Sequence, residues 1–551
     1  MTTKKSQVLI KSKLILALSA LTWFAVLTAS AVRTPHPIVL ADETVYLLTT
    51  KFGYFTQDFA GWGTIGQIPA QLYYWIYSFM AGPSIYFNAK VLNAAFLGAT
   101  ILPAYHAALI YLPRPWAIAF AVVVICEPIS SFVRYFMPES LYYFGFWWVV
   151  YAALGPWRNS TRKMATLTGA LVGTLCLVKP HALALLIGFG GFVMFRSGRN
   201  ARPFASLACL ALSFSAVRFG LGFALSGQLD FSISGPVYGS QVTLGHVSVS
   251  EMLFNSLGHA AALDVLAGLP LVIVMANLIR HTSRADSATH DLMLLAVCLL
   301  AATASMTVYF SCAAADLNPG GEPVTRLRGR YYAWILPLLM LAYGNLAMKR
   351  YEQPSLLSNQ ALTLFGLMTL LGLLALTALY ETSVVDYPEL AMLLRWPIGW
   401  GVFGGALLAC ITVTMLLRRL RFYNDEWRWV LPLAWWASVT LATSALLVAA
   451  PWAGRFAPTD VDRAMASSPL RELLGHDDGA VIGLQASPAD TFRVLFHLAS
   501  RSHWKIVPSD TTLSMADIPS GVNWFITLPG VAYMGPGNRT LVGPLQYVQL
   551  H

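Results

Sequence analysis

Charge is what this sequence has least of. Asp, Glu, Lys and Arg make up 11% of its 551 residues, where a soluble protein carries roughly a quarter. That deficit excludes a water-facing exterior over most of the chain. Cysteine is sparse too. Cys126, Cys176, Cys209, Cys298, Cys312 and Cys410 lie in or beside apolar runs, and the last hundred residues contain none. Neither a disulfide framework nor a zinc-ligand spacing is visible. Internal repeats and low-complexity stretches are missing. The net charge of +10 would suit nucleic acid if the basic residues formed one patch. They sit instead in short clusters between apolar runs, so no nucleic-acid partner is expected.

What the sequence has in abundance is apolar length. Hydrophobic residues are 56% of the chain, and a spanning helix takes about 20 of them. Spans are predicted at 14–32, 87–112, 116–133, 138–155, 164–179, 181–195, 204–225, 260–279, 291–311, 331–347, 360–380, 396–416 and 429–450. The fold class that follows is an all-α polytopic membrane protein of about thirteen transmembrane helices. The first run, flanked by Lys4, Lys5, Lys11 and Lys13, has the look of a signal peptide. With so many spans behind it, it reads as the first transmembrane helix.

Orientation follows from the basic residues. Alternate connections carry Arg158, Arg162 and Lys163; Arg196, Arg199 and Arg202; Arg280 and Arg284; Lys349 and Arg350; Arg418, Arg419 and Arg421. Each falls on the side of the N-terminal lysines, which the positive-inside rule makes cytoplasmic. The expected location is the plasma membrane (inner membrane of a bacterium), with an extracytoplasmic C-terminus. Residues 1–450 form the predicted membrane domain, with large outer loops at 33–86 and 226–259. The second loop, rich in Gly and Ser, reads as a mobile lid or a plain connector. In the first, Tyr73–Phe79 suit a helix lying in the interface. From 451 the texture changes. Short apolar runs at 481–484, 504–507, 524–528 and 547–550, with a helical run at 489–500, predict a small α/β extracytoplasmic domain over 451–551.

Several charged residues sit where topology does not ask for them. Asp42 and Glu43 follow the first span on its outer side and precede a helical-looking stretch to Phe52; for isolated acids a solvated loop or helix cap is the ordinary role. Arg326, Arg328 and Arg330 lie on an outer connection, in Thr325-Arg326-Leu327-Arg328-Gly329-Arg330-Tyr331-Tyr332. Headgroup contact is the alternative there. Lys179, in Leu177-Val178-Lys179-Pro180-His181, is a charge at membrane depth, functional or snorkelling. His181 beside it reads as an interface histidine. Arg218, inside the seventh run, either lines a cavity or pairs with an acid. Glu139 after Met137-Pro138 opens the fourth span, which is also ordinary helix N-terminal chemistry. Asp58, Asp386 and Glu389 are outer acids of weak context, solvated by default.

An acidic pair after the first span, with Tyr46 three residues on and Leu72-Tyr73-Tyr74-Trp75 before the second, resembles glycosyltransferase superfamily C (GT-C). The nearest branch is that of the bacterial lipid A aminoarabinose transferases and the protein O-mannosyltransferase-like enzymes. The likeness covers the architecture and a few short motifs. It departs where that branch has Lys-Pro-Pro and this chain has Gln67-Ile68-Pro69-Ala70-Gln71. The resemblance implies a polyprenyl-phosphate sugar donor, an outer-face active site and a glycolipid, polysaccharide or protein acceptor. It also implies that Arg330-Tyr331 enters a late helix at the site, that Lys179 contacts lipid phosphate, and that Glu139 corresponds to an acid at the start of the fourth span.

The chemistry then assigns roles. The acceptor hydroxyl loses its proton as it attacks, and a positioned carboxylate takes it; Asp42 is the first candidate base and Glu43 the second. The leaving lipid phosphate needs cations rather than an acid. Arg330 ranks first, then Arg326, with Lys179 and Arg218 behind them; Glu139, His181, Asp58 and Tyr331 complete the expected cavity. No cofactor is expected. A divalent metal is compatible with such enzymes, but the acids near one another in sequence do not make a metal site. Two other classes stay open: a transporter or flippase of a lipid-linked sugar or other anion, and a non-catalytic envelope scaffold.

Overall fold

The computed structural model describes residues 2–52, 70–80, 84–197, 203–227, 247–280, 287–317, 323–349, 359–394, 427–451, 457–467, 470, 479–484, 488–498, 504–509, 512–518 and 520–550. Its apolar stretches are helical, because helix is how a single segment pairs all its backbone groups where water is absent. Among the described residues, six helices are long and apolar enough to cross a bilayer: Ser12–Val32, Ile85–Leu109, Pro203–Ser226, Val249–Ile279, Ser287–Ala315 and Pro432–Ala449. The pair Arg114–Ile125 and Pro128–Arg134, bent by 44°, makes a seventh if counted as one span. The helices Glu139–Leu154, Thr161–Cys176, Ala182–Ser197, Leu336–Lys349 and Asn359–Leu379 occupy further predicted spans. The chain is a multi-pass membrane protein. The span predicted at 396–416 lies outside the described residues.

Where the helices break, the sequence supplies the reason. Pro128 has no N–H to continue the ladder, and the chain tightens into a 3-10 helix over Pro128–Arg134. Ala216–Leu221 form a π-helical turn inside the seventh span.

The loop expected at 226–259 is shorter than that. Residues 228–246 lie outside the described residues, but a single helix runs from Val249 to Arg280. Ser248 and Glu251 start it with a capping box: the Ser248 hydroxyl accepts the Glu251 N–H at 3.2 Å, and the Glu251 carboxylate accepts the Ser248 N–H at 3.1 Å. Met252, Leu253, Phe254 and Leu257 continue the apolar pattern through it. The first outer segment holds two helices, Leu40–Phe52 and Gln71–Ser78.

The last membrane helix closes the bundle against the first and third spans. The Ser30 hydroxyl donates to the Val448 carbonyl at 3.0 Å, and Arg134 Nη1 donates to the Leu447 carbonyl at 2.7 Å. Trp23 Nε1 donates to the Ile125 carbonyl at 2.7 Å. At the other end, basic connections meet. Arg196 pairs with Asp291 at 3.1 Å and donates to the Arg158 carbonyl, while Lys349 donates to Thr289 at 2.9 Å.

The C-terminal region carries a five-stranded sheet in the order β2-β1-β4-β7-β6, built from β1 (Gly479–Leu484), β2 (Trp504–Ser509), β4 (Trp524–Thr527), β6 (Asn538–Val542) and β7 (Leu545–Gln549). β1 pairs in parallel with β2 and β4; β4-β7 and β7-β6 are antiparallel. Strands β3 (Thr512–Leu513) and β5 (Ala532–Tyr533) pair separately. Alternation sorts the side chains. Trp524, Ile526 and Tyr547 join the core that runs on into the membrane helices, while Phe525 and Val548 pack with Leu513 and Tyr533 on the other face.

Candidate functional site

Asp42 lies in the first turn of the Leu40–Phe52 helix, where the helix dipole favours an anion. Its carboxylate stands 3.8 Å from Arg330 Nη2, and 36% of the side chain is accessible. Enclosure by surrounding protein pushes the Asp42 pKa above its ordinary 3.8, against the pull of Arg330. Glu139, Lys179 and Asp386 act on it as well. The structure brings together Asp42 and Arg330, two of the residues singled out in the sequence.

Arg330 is positioned by a strap between two loops. The Leu327 N–H donates to the Glu381 carbonyl, the Glu381 N–H to the Thr325 carbonyl, both at 2.9 Å, and the Arg330 N–H to the Asp386 carbonyl at 2.6 Å. Gly329 lies flat against the Tyr387 ring, where any Cβ would overlap it. Asp386, treated in sequence as a solvated acid, is buried. It pairs with Arg326 at 2.5 Å and with Arg330 Nε at 3.7 Å. Burial alone would raise its pKa, but Arg330, Arg326 and the Ser383 hydroxyl outweigh it and hold Asp386 below its ordinary range. The Ser383-x-x-Asp386 spacing, whose hydroxyl donates to the carboxylate at 2.7 Å and accepts the Asp386 N–H at 2.9 Å, was the local trace of it in sequence. Its arginine partners are some sixty positions away and left no such trace.

Lys179 reaches into the same place. Its ammonium meets Glu139 at 2.5 Å, with both side chains buried. The Tyr331 ring is the common wall: Lys179 Nζ stands 5.2 Å from its centroid, Arg330 4.9 Å, and His181 stacks on it at 4.3 Å and 9°. The Tyr331 hydroxyl accepts from Arg330 at 2.9 Å. The Leu72 N–H donates to the Leu177 carbonyl at 2.9 Å, tying the aromatic first-loop helix to the Lys179 turn. Glu139, Tyr142, Lys179, His181, Arg330 and Tyr331 together line a small cleft with about 10 Å³ of free volume, room for about one water. Glu139 Oε2 and the Tyr142 hydroxyl are buried without a protein partner, and a bound polar group would satisfy them.

The remaining expectations part company. Glu43 turns away from the cleft. It is fully buried, with Oε1 accepting the Ile38 and Val39 N–H groups at 2.7 and 2.9 Å and Oε2 accepting the Phe136 N–H at 2.9 Å and the Tyr86 hydroxyl at 2.6 Å. Arg326 is committed to Asp386 through Nη2 and Nε. Arg218 is buried in the π turn, beside Cys176 and Gly222. Asp58 lies outside the described residues. No three acid, histidine or cysteine side chains converge on a metal-binding arrangement among the described residues.

No family model and no curated protein matches this sequence. Among solved structures there is a match to the Archaeoglobus fulgidus oligosaccharyltransferase tethered with an acceptor peptide containing the NVT sequon via a disulfide bond. It extends over 94% of this chain and 68% of that one, at 10% identity and a TM-score of 0.35. That is too faint a likeness to settle the fold.

Proposed function

We propose that the chain is a membrane glycosyltransferase that moves a sugar from a polyprenyl-phosphate donor to an acceptor hydroxyl, with the reaction at the Asp42 end of the bundle. The observation that carries this reading is the approach of Asp42 to Arg330 at 3.8 Å, beside the buried Lys179–Glu139 pair. One carboxylate and two cations from distant parts of the chain meet around the Tyr331 ring.

Asp42 is the base in this reading, and its raised pKa suits the part, since a base nearer neutrality binds its proton more firmly in the transition state. It takes the acceptor proton as the acceptor oxygen bonds to the anomeric carbon. The bond from that carbon to the phosphate oxygen breaks, and the lipid phosphate leaves with the electron pair. Arg330 and Lys179 hold the charge that develops; Arg330 suits it because its planar fork donates two bonds at once. Glu43, with four hydrogen bonds already accepted, is the anchor of the helix rather than a second base. Asp386 balances Arg326 and orients Arg330.

The proposal includes the topology. The basic connections that meet through Arg196, Arg158 and Lys349 mark the cytoplasmic end. The Asp42 cleft then faces the outer leaflet of the plasma membrane, about thirteen spans are present, and residues 451–551 form an extracytoplasmic domain. The acceptor is a glycolipid, polysaccharide or protein. Turnover of labelled polyprenyl-phosphate sugars tests the reading: Asp42→Asn and Arg330→Ala are expected to lower it sharply while remaining folded. Undiminished turnover by Asp42→Asn removes the base.

A further inference from the structure

The face of the Leu40–Phe52 helix opposite the cleft is as tightly specified as the cleft itself. The Glu43 carboxylate uses all of its four hydrogen bonds on Ile38, Val39, Tyr86 and Phe136. Lys90 provides the counter-charge: its ammonium stands 3.8 Å over the Tyr86 ring and donates to the Thr34 carbonyl. A buried carboxylate so fully bonded fixes the rotation of its helix, because turning it strands a charge. Neighbouring residues on an α-helix are about 100° apart, so the fixing of Glu43 also fixes where Asp42 points.

Tyr86 has a second partner on its outer side. Phe496 packs edge-on against it, with centroids 4.7 Å apart at 82°. Phe496 belongs to the Pro488–Leu498 helix of the C-terminal region, which lies along the Leu40–Phe52 helix. That helix is pinned in turn. The buried Asp462 carboxylate pairs with Arg493 at 2.6 Å and with His497 at 3.3 Å, and it accepts the Thr459 N–H at 3.0 Å. A continuous chain of contacts therefore runs from the sheet region to the proposed base.

We propose that the C-terminal region is a positioning element for the reaction: Phe496, acting through Tyr86 and Glu43, holds Asp42 toward Arg330. Phe496, Tyr86 and Glu43 are positioning residues, and the inference rests on the reading of Asp42 as the base. It assigns the C-terminal region a share in the rate as well as in the shape.

The test uses the full chain in detergent, with labelled polyprenyl-phosphate sugar as donor. Tyr86→Phe and Phe496→Leu are expected to lower kcat by about 10- to 100-fold, since a misplacement of about 1 Å costs about that much. The donor KM is expected to stay within about twofold, because Arg330 and Lys179 are untouched. Phe496→Tyr keeps the ring and is expected to restore the rate. Unchanged kcat in both variants overturns the proposal, as does a loss matched by donor KM or not rescued by Phe496→Tyr. Asp42→Asn run alongside separates the two claims. If Asp42→Asn loses turnover while Tyr86→Phe and Phe496→Leu keep the wild-type kcat, positioning alone fails; if Asp42→Asn keeps the wild-type rate, the base reading fails. Amide exchange tests the contact without turnover. Phe496→Leu is expected to speed exchange in residues 40–52 while β1, β4 and β7 stay protected, and equal protection of 40–52 overturns the proposal.

Discussion

Lys179 and Glu139 form a buried ion pair at 2.5 Å, made between the turn before one short apolar helix and the first residue of another. Removing one partner leaves an uncompensated charge, which costs about 3–5 kcal/mol. Lys179→Met is therefore expected to lower the melting temperature strongly. The double variant Lys179→Met with Glu139→Leu is expected to recover much of that loss, yet not turnover. Thermal melts in detergent beside donor turnover check both halves.

With Asp42 as the proposed base, its pKa sets the acid limb of activity. Because enclosure raises it above 3.8, kcat/KM is expected to rise with pH through a limb displaced upward from an ordinary aspartate. Arg330 pulls that pKa down, so Arg330→Met should move the limb to still higher pH while lowering the rate. A limb moving to lower pH contradicts the pairing. Asp42→Asn is expected to cost about 10²–10⁴-fold with little change in melting temperature.

The residues of these two arrangements stood out in sequence for a common physical reason, although the pairing of Lys179 with Glu139 was not legible there. Asp42, Glu139, Lys179 and Arg330 are charges at the ends of apolar runs, where a charge is expensive and stands out. Asp386 did not stand out, because its worth lies in Arg326 and Arg330, and a loop of acids and serines looks solvated until its partner loop is placed against it. Glu43 misled for the converse reason. It shares its residue-type cues with Asp42, while bonds to the nearby Ile38 and Val39 N–H groups and to the remote Phe136 N–H and Tyr86 hydroxyl commit it elsewhere. The helix beginning at Val249 was readable from Ser248 and Glu251. The Gly- and Ser-rich composition before it drew attention away from that cap. Strands β1, β2, β4 and β7 followed their apolar runs; the two-residue β3 and β5 and the mostly exposed β6 (Asn538–Val542) left little hydrophobic signature.

Gly329 is expected to tolerate no side chain. A Cβ there overlaps the Tyr387 ring, and overpacking of that kind costs about 1–3 kcal/mol. Gly329→Ala should displace the loop that presents Arg330, lowering turnover more than it lowers the melting temperature. Gly329→Ala combined with Tyr387→Leu is expected to restore part of the rate.

Glu389 gives stability a pH dependence. It is buried at the start of the Pro388–Leu394 helix, and burial pushes its pKa from 4.5 to about 7. A carboxyl whose pKa is raised by folding favours the fold when protonated. Its contribution, on the order of 3 kcal/mol, is present below about pH 4.5 and lost as pH rises to about 7. Glu389→Gln is expected to flatten the fall in melting temperature between these values, and an unaltered slope contradicts the assignment.

The contact between Tyr86 and Phe496 has a consequence for biosynthesis. A ribosome completes the first-loop helix several hundred residues before the residues that brace it, an interval on the order of tens of seconds at about 5–20 residues per second. Through that interval the acid of the first loop waits without its outer support. Nascent chains halted before the final membrane helix also lack the groups at Leu447 and Val448 to which Arg134 and Ser30 donate. Assembly of the cleft is therefore a late event in the life of the nascent chain.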